Sequence, residues 1–174
     1  MPGDRLKGKV AIVTGGGSGF GAGIVRKFVH EGCLVMIWDI CPEPAMTLSS
    51  NLPAKSTSVF IGDVSNPEHW VSALEQCLQK FGQLHILVNN AGVVHVSAPS
   101  EEVAEEEVDR MWRVNFKPLY HSAKVVVPYF RERGGGVVIN LSSISAPRPR
   151  PRLVWYAASK GAVTAVSELW LCKG

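Results

Sequence analysis

The stretch TGGGSGFG, Thr14 to Gly21, constrains the fold more than any other part of the chain. It directly follows the apolar, β-branched run KVAIVTG and precedes an amphipathic stretch, so it reads as the turn between a first strand and a first helix. Glycines suit such a turn because the backbone must reverse sharply and approach a bound group closely. A helix that begins there offers free N–H groups and the positive end of its dipole, which favour a phosphate. Gly15, Gly19 and Gly21 are the natural contacts of a pyrophosphate. A flexible turn with no ligand is the alternative, and Asp39, 24 residues after Gly15, argues against it. A carboxylate at the end of the second strand accepts hydrogen bonds from adenosine ribose hydroxyls and repels a 2′-phosphate. Ser18 adds no basic residue to attract one, so NAD(H) is expected over NADP(H).

Four further short apolar runs follow: LVMIWD at 34–39, STSVFIGD at 56–63, LHILVNN at 84–90 and GVVINLSS at 136–143. None alternates strictly with polar residues, which predicts parallel strands covered on both faces by helices, a doubly wound α/β sheet. The 174 residues, 46% of them apolar, are enough for one domain spanning 1–174 with its own core. The clearest helix lies between the third and fourth strands. Ser65 and Glu68 are spaced as a capping box, Pro67 falls in the first turn, and Trp70, Leu74, Cys77, Leu78 and Phe81 share one face.

The net charge of +3 is too weak to imply nucleic acid or an acidic membrane, and no apolar run approaches the roughly 20 residues of a membrane span. The acid-rich segment SEEVAEEEVDRMWRVN reads as a solvated helix, with Glu106–Arg110 and Asp109–Arg113 as i,i+4 pairs, before it reads as a docking face or metal cluster. His30, His69, His85, His95 and His121 are scattered without zinc spacing, so no catalytic metal is expected. Cys33, Cys41, Cys77 and Cys172 form no CxxC pair and the start MPGDRLKGK is polar, which fits a reducing, cytoplasmic compartment.

The glycine spacing of TGGGSGFG together with NNAG at Asn89 to Gly92 resembles the short-chain dehydrogenase/reductase family, and the likeness extends through GDV at 62–64, Asn115, Ser143 and YAASK at 156–160. It covers the chain from Lys7 to about Val166. The resemblance implies a Rossmann-type sheet in strand order 3-2-1-4-5 and an NAD cofactor. It implies that Gly15, Ser18, Gly19, Phe20 and Gly21 cradle the cofactor and that Asp63 and Val64 hold its adenine. Asn90, Ala91 and Gly92 would lie beside its ribose. Asn89 would support the central sheet, with a sheet-end turn residue as the alternative.

Tyr156 and Lys160 are i and i+4, so on a helix both side chains project from one face. A carbonyl that accepts a hydride needs a proton on oxygen, and a free phenol, with pKa about 10, is a poor base near neutrality. Lowering a phenol's pKa by three units takes roughly 4 kcal/mol, about what one cation about 4 Å away supplies at an effective dielectric near 20. The resemblance implies that Tyr156 is the acid/base, Lys160 its charge partner and ribose anchor, and Ser143, rather than Ser142, the hydroxyl that bonds the substrate oxygen. Asn115 would hold the lysine through water, and a helix-kink or capping role is compatible with that. The implied reaction moves a hydride between NAD(H) and a secondary alcohol or ketone of small size.

Between Ser143 and Tyr156 runs SAPRPRPRLVW, in which Arg148, Arg150 and Arg152 alternate with prolines. This strip is either a stiff solvated loop or an attractor for an anionic substrate group, with nucleic acid not expected. Trp155 and His95 are candidates for the same cleft, or ordinary packing residues. Family members continue past YxxxK with two more strands and a lid, so the chain is expected to be a C-terminally truncated member. The apolar fifth strand would then be an open edge, and Val163, Val166, Leu169 and Trp170 would lack partners. A catalytically inactive nucleotide-binding or interaction protein is the alternative function, and homo-oligomerisation is left open.

Overall fold

The computed structural model describes residues 3–171. Five parallel strands form one sheet: β1 (Val10–Thr14), β2 (Leu34–Asp39), β3 (Thr57–Ile61), β4 (Ile86–Asn89) and β5 (Val137–Asn140). Their order is β3-β2-β1-β4-β5, as expected. Register pairs Val10 with Leu34, Ala11 with Ile86, Val35 with Thr57 and Ile86 with Val137. Helices α1 (Gly19–His30), α2 (Pro42–Ser50), α3 (Pro67–Phe81), α4 (Glu105–Met111), α5 (Lys117–Glu132) and α6 (Val154–Leu171) complete the fold. A single π-helical turn, Trp112–Phe116, joins α4 to α5.

The continuous apolar runs are explained by two cores, one per face. Successive residues of a strand point to opposite sides, so Val10 and Ile12 enter a core with Met36, Trp38, Trp70, Leu87 and Phe130, while Ala11 and Val13 enter another with Val25, Val35, Ile37 and Val88. Each large side chain so buried contributes about 1.5–3 kcal/mol. The buried tryptophans keep their indole N–H groups bonded: Trp38 donates to the Gly62 carbonyl at 2.9 Å and Trp70 to the Val64 carbonyl at 2.8 Å. This fixes the chain just beyond β3 against the sheet.

Local details differ from the sequence reading. The cap of α3 is Asn66, whose side chain accepts from the Glu68 amide, and not Ser65, whose amide donates to Asp63. Pro67 occupies the first helical position and leaves its predecessor as the cap. The acidic segment forms a Glu107–Arg110 ion pair at 2.8 Å in place of the expected Glu106–Arg110 and Asp109–Arg113 pairs. Arg110 also donates to the Val94 carbonyl, which draws it toward the loop after β4. β5 lies at the sheet edge among the described residues, with Val137 and Ile139 partly exposed. Val163, expected to lack partners, is only 1% exposed, and Val166 is half-buried. The side chains of Leu169 and Trp170, and all of Cys172, lie outside the described residues.

Candidate active site

Strand order reverses between β1 and β4, and a crevice opens at their carboxyl ends, where open α/β sheets take ligands. Thr14 organises that end. Its hydroxyl donates to the Val88 carbonyl and accepts from the amides of Asn90 and Ala91 at 3.0 and 3.1 Å. The Asn90 side chain returns two hydrogen bonds, to the carbonyls of Thr14 and Gly15. Gly15 has φ 60°, a left-handed conformation that favours glycine. A Cβ on Gly21 would fall on the Gly15 carbonyl oxygen, so only glycine lets α1 start this close to the turn. Ser18 precedes α1 without a side-chain cap and the first turn holds no acid, and Ser18, Gly19 and Phe20 line the crevice at this helix start. Asp39, at the end of β2, accepts from the Gly17 amide at 2.8 Å and from the Cys41 amide at 3.0 Å, and so ties the glycine turn to the second strand.

The other end is made of side chains from three elements. Lys160 is 5% exposed and its ammonium donates to the Leu141 carbonyl, just past β5, at 2.7 Å. Burial holds its pKa below the ordinary 10.5, because the charged form is penalised where water is excluded. Tyr156 lies one turn earlier on α6. The Ser143 oxygen accepts from the Ser145 amide at 3.1 Å, which leaves its own hydrogen available to a ligand. Ser142 is committed elsewhere: its hydroxyl donates to the Lys160 carbonyl at 2.9 Å and lies 2.7 Å from that of Thr164. Asn115 occupies the π-helical turn. It exchanges two hydrogen bonds with the Val93 backbone and donates to the Ser159 hydroxyl at 3.0 Å, bridging the loop after β4 to α6. A Cβ on Gly92 would stand 3.3 Å from both the Asn115 oxygen and the Lys160 ammonium, so glycine leaves open the space between them.

One groove of about 1140 Å³ joins the two ends. Gly15, Ser18, Gly19, Phe20, Asp39, Asp63 and Val64 line it on one side, Ser143, Tyr156 and Lys160 on the other, with Asn90, Ala91 and Gly92 between. Gly21 and Asn115 stand behind the wall and shape it. Asn89 is a brace at the end of β4, donating to the Asn140 side chain at 2.8 Å and to Ser122. His95 and Trp155 do not line the groove. His95 is buried and bonds the Val96 carbonyl, and the Trp155 indole donates to the Ser100 carbonyl. Arg148, Arg150 and Arg152 are exposed and outside it, the strip being held by the Ala98 amide on the Arg152 carbonyl. Two cations unforeseen in sequence, Arg110 and Arg113, do line the groove with Val94 and Val114. Their signal was helical: positions 110, 113 and 114 share one face.

A parallel sheet in this order, with a glycine turn and a Tyr–Lys pair on one groove, defines the dinucleotide-binding α/β class. Residues 9–172 match the short chain dehydrogenase family, and the chain belongs to it. It is 40% identical over 166 residues to a 4-formylbenzenesulfonate dehydrogenase of Comamonas testosteroni, covering 94% of this chain and 66% of that protein. It is 36% identical over 164 residues to a 3-alpha-(or 20-beta)-hydroxysteroid dehydrogenase of Mycobacterium bovis, covering 94% of this chain and 62% of the relative. Among solved structures, a 3-ketoacyl-(acyl-carrier-protein) reductase from Brucella melitensis complexed with NADH superposes with a TM-score of 0.92 at 38% identity. That match covers 95% of this chain and 70% of the other. The chain thus spans a little under two thirds of the length of these curated relatives.

Proposed function

We propose that the groove binds NAD(H) and that the chain interconverts a secondary alcohol and a ketone there. The observation that carries this reading is the single groove bounded by the glycine turn at one end and by Ser143, Tyr156 and Lys160 at the other. The cofactor fits the residues present: Ser18, Gly19 and Phe20 line the groove at the start of α1, whose first turn holds no acid, and a Cβ on Gly19 would meet open space. Gly15, Ser18, Gly19, Phe20 and Gly21 would hold the phosphates, Asp39 the adenosine ribose, Asp63 and Val64 the adenine, and Asn90, Ala91 and Gly92 the middle of the molecule. When bound, the nicotinamide supplies the hydride donor or acceptor.

The remaining chemistry belongs to the chain. Tyr156 gives its phenolic proton to the substrate oxygen in one direction and takes it back in the other. A nearby ammonium favours the anion of a phenol, which is the part of Lys160. Ser143 donates to the same substrate oxygen with the hydrogen that its bond from the Ser145 amide leaves available. Asn115 keeps the loop after β4 and α6 in register. The Asp39 carboxylate supports NAD(H) over NADP(H), because a 2′-phosphate beside it would be repelled. The free thiols of Cys33, Cys41 and Cys77 fit a reducing compartment, and no helix among the described residues is long and apolar enough to cross a membrane.

A second reading, nucleotide binding without turnover, draws on the exposure of Val94 (50%) and Ile144 (62%), which leaves the Tyr156 end of the groove open to water. Thermal melting with NADH and NADPH, followed by turnover on a panel of ketones, separates the two. The leading reading expects a larger melting-temperature gain with NADH and measurable NADH oxidation. A gain without oxidation supports the second, and no gain with either nucleotide overturns both.

A further inference from the structure

Lys160 is gripped twice by the residues that follow β5. Its ammonium donates to the Leu141 carbonyl at 2.7 Å, and its own backbone carbonyl accepts from the Ser142 hydroxyl at 2.9 Å. Thr164, one turn further along α6, reaches the same carbonyl at 3.2 Å and lies 2.7 Å from Ser142. Each hydroxyl has one hydrogen, and one arrangement uses both: Ser142 donates to the Lys160 carbonyl and Thr164 to Ser142. A threonine bonding back to the carbonyl four residues earlier is ordinary local behaviour. Ser142 is not local. It comes from a different element 18 residues away, and the next residue, Ser143, lines the groove.

We propose that Ser142, paired with Thr164, is a positioning residue: the two hydroxyls lock the α6 backbone at Lys160 to the strand end that carries Ser143. The lock sets how far the Lys160 ammonium and, one turn earlier, the Tyr156 phenol stand from Ser143. Without it, α6 is held to this strand by the lysine side chain, by the Asn140 side chain donating to the Ser167 hydroxyl at 3.0 Å and by the apolar contacts of residues such as Val163, none of which fixes the α6 backbone at Lys160 itself. The burial that disfavours the charged lysine makes that placement sensitive to small movements. This inference rests on the proposed role of Lys160.

The test compares Ser142→Ala, Thr164→Val and Thr164→Ser in the full chain. One readout is kcat against KM with NADH as cofactor. The second is the titration midpoint of Lys160, read by NMR of ¹³C-labelled lysine and assigned with Lys160→Arg. Ser142→Ala and Thr164→Val are expected each to lower kcat about tenfold with the NADH Kd within about twofold. Their Lys160 midpoint moves toward that of the exposed lysines, whereas Thr164→Ser, which keeps the hydroxyl, holds both readouts near wild type. The double variant falls no further than the worse single one, because the hydroxyls act as a unit. An unchanged midpoint with an unchanged kcat in both hydroxyl-less variants overturns the proposal, and so does an equal loss in Thr164→Ser. If the wild-type chain binds no NADH, the proposed function fails instead, and the midpoint series still decides whether the pair positions Lys160. Should Ser142→Ala not fold, Thr164→Val carries the same comparison.

Discussion

The two ends of the groove are built from different material. At the glycine end the backbone is the site: the amides of Asn90 and Ala91 donate to the Thr14 hydroxyl, the Gly17 amide donates to the Asp39 carboxylate, the Asn90 side chain donates to the Gly15 carbonyl, and a Cβ on Gly21 has nowhere to go. At the reacting end side chains are the site, and the residues proposed to act, Tyr156 and Ser143, line the groove. A backbone site is inseparable from the fold, because the bonds that shape it also join β1, β2 and β4. A side-chain site rests on the fold but contributes little to it. Changes at the first end should therefore move stability and cofactor affinity together, while changes at the second should move turnover alone.

The largest expected effect tests that separation. Tyr156→Phe should cost about 10²- to 10⁴-fold in kcat, the usual weight of an acid/base group. Its stability should stay within about 0.5 kcal/mol, because the change removes only the hydroxyl of a half-buried residue. Steady-state kinetics and a melt on the same sample check both halves. A large drop in melting temperature would erase the contrast.

Next is Gly21→Ala, which forces the start of α1 off the Gly15 carbonyl. It should destabilise by about 1–3 kcal/mol, as overpacking does, and abolish the melting-temperature gain from NADH. Denaturant unfolding with and without NADH measures the two together. Loss of binding at full stability would mean that the glycine serves the ligand alone.

Asp39→Ala sharpens the comparison by touching both functions of one carboxylate. The amides of Gly17 and Cys41 lose their acceptor, at a cost of about 1–3 kcal/mol, and preference for NADH over NADPH should shrink in paired titrations. An unchanged NADH/NADPH ratio would remove Asp39 from cofactor selection.

The smallest effect on stability is expected from Lys160→Met. The folded-state pKa of Lys160 lies below its ordinary value, so between the two the unfolded chain binds more protons and stability rises with pH. That rise begins at the lowered pKa and ends near 10.5, and the methionine variant lacks it. Near neutrality the variant is relieved of a buried charge but leaves the Leu141 carbonyl without its donor, two effects that oppose each other, so its stability should change little while turnover is lost. Denaturant unfolding of both proteins across alkaline pH reads the difference, and the same rise with pH in the methionine variant would mean that Lys160 is not the group responsible for it.

The same contrast explains what was legible in the sequence. The glycine end could be read because steric necessity leaves a spacing in the chain: only glycine serves at Gly15 and Gly21, and an apolar run feeds directly into them. The strands were legible because burial on both faces demands unbroken apolar runs such as VAIVT and LVMIWD. Tyr156 and Lys160 were legible because four residues make one helical turn. What escaped notice depends on distant elements meeting. Serine after strand β5 has no pattern that announces its bond to the Lys160 carbonyl. Glu107 rather than Glu106 pairs with Arg110, a choice among neighbours that spacing alone does not make. The π-helical turn that sets Asn115 between Val93 and Ser159 leaves no periodic trace, and burial of His95 against its own loop has none either.

The central claim is that one groove unites a dinucleotide site with the Tyr156–Lys160 pair. Calorimetric titration of the chain with NADH, repeated on Tyr156→Phe and Gly21→Ala, tests it most directly. The account predicts saturable binding that survives the tyrosine change within a few-fold and disappears with the glycine change. Saturable NADH binding that is indifferent to Gly21→Ala would contradict it.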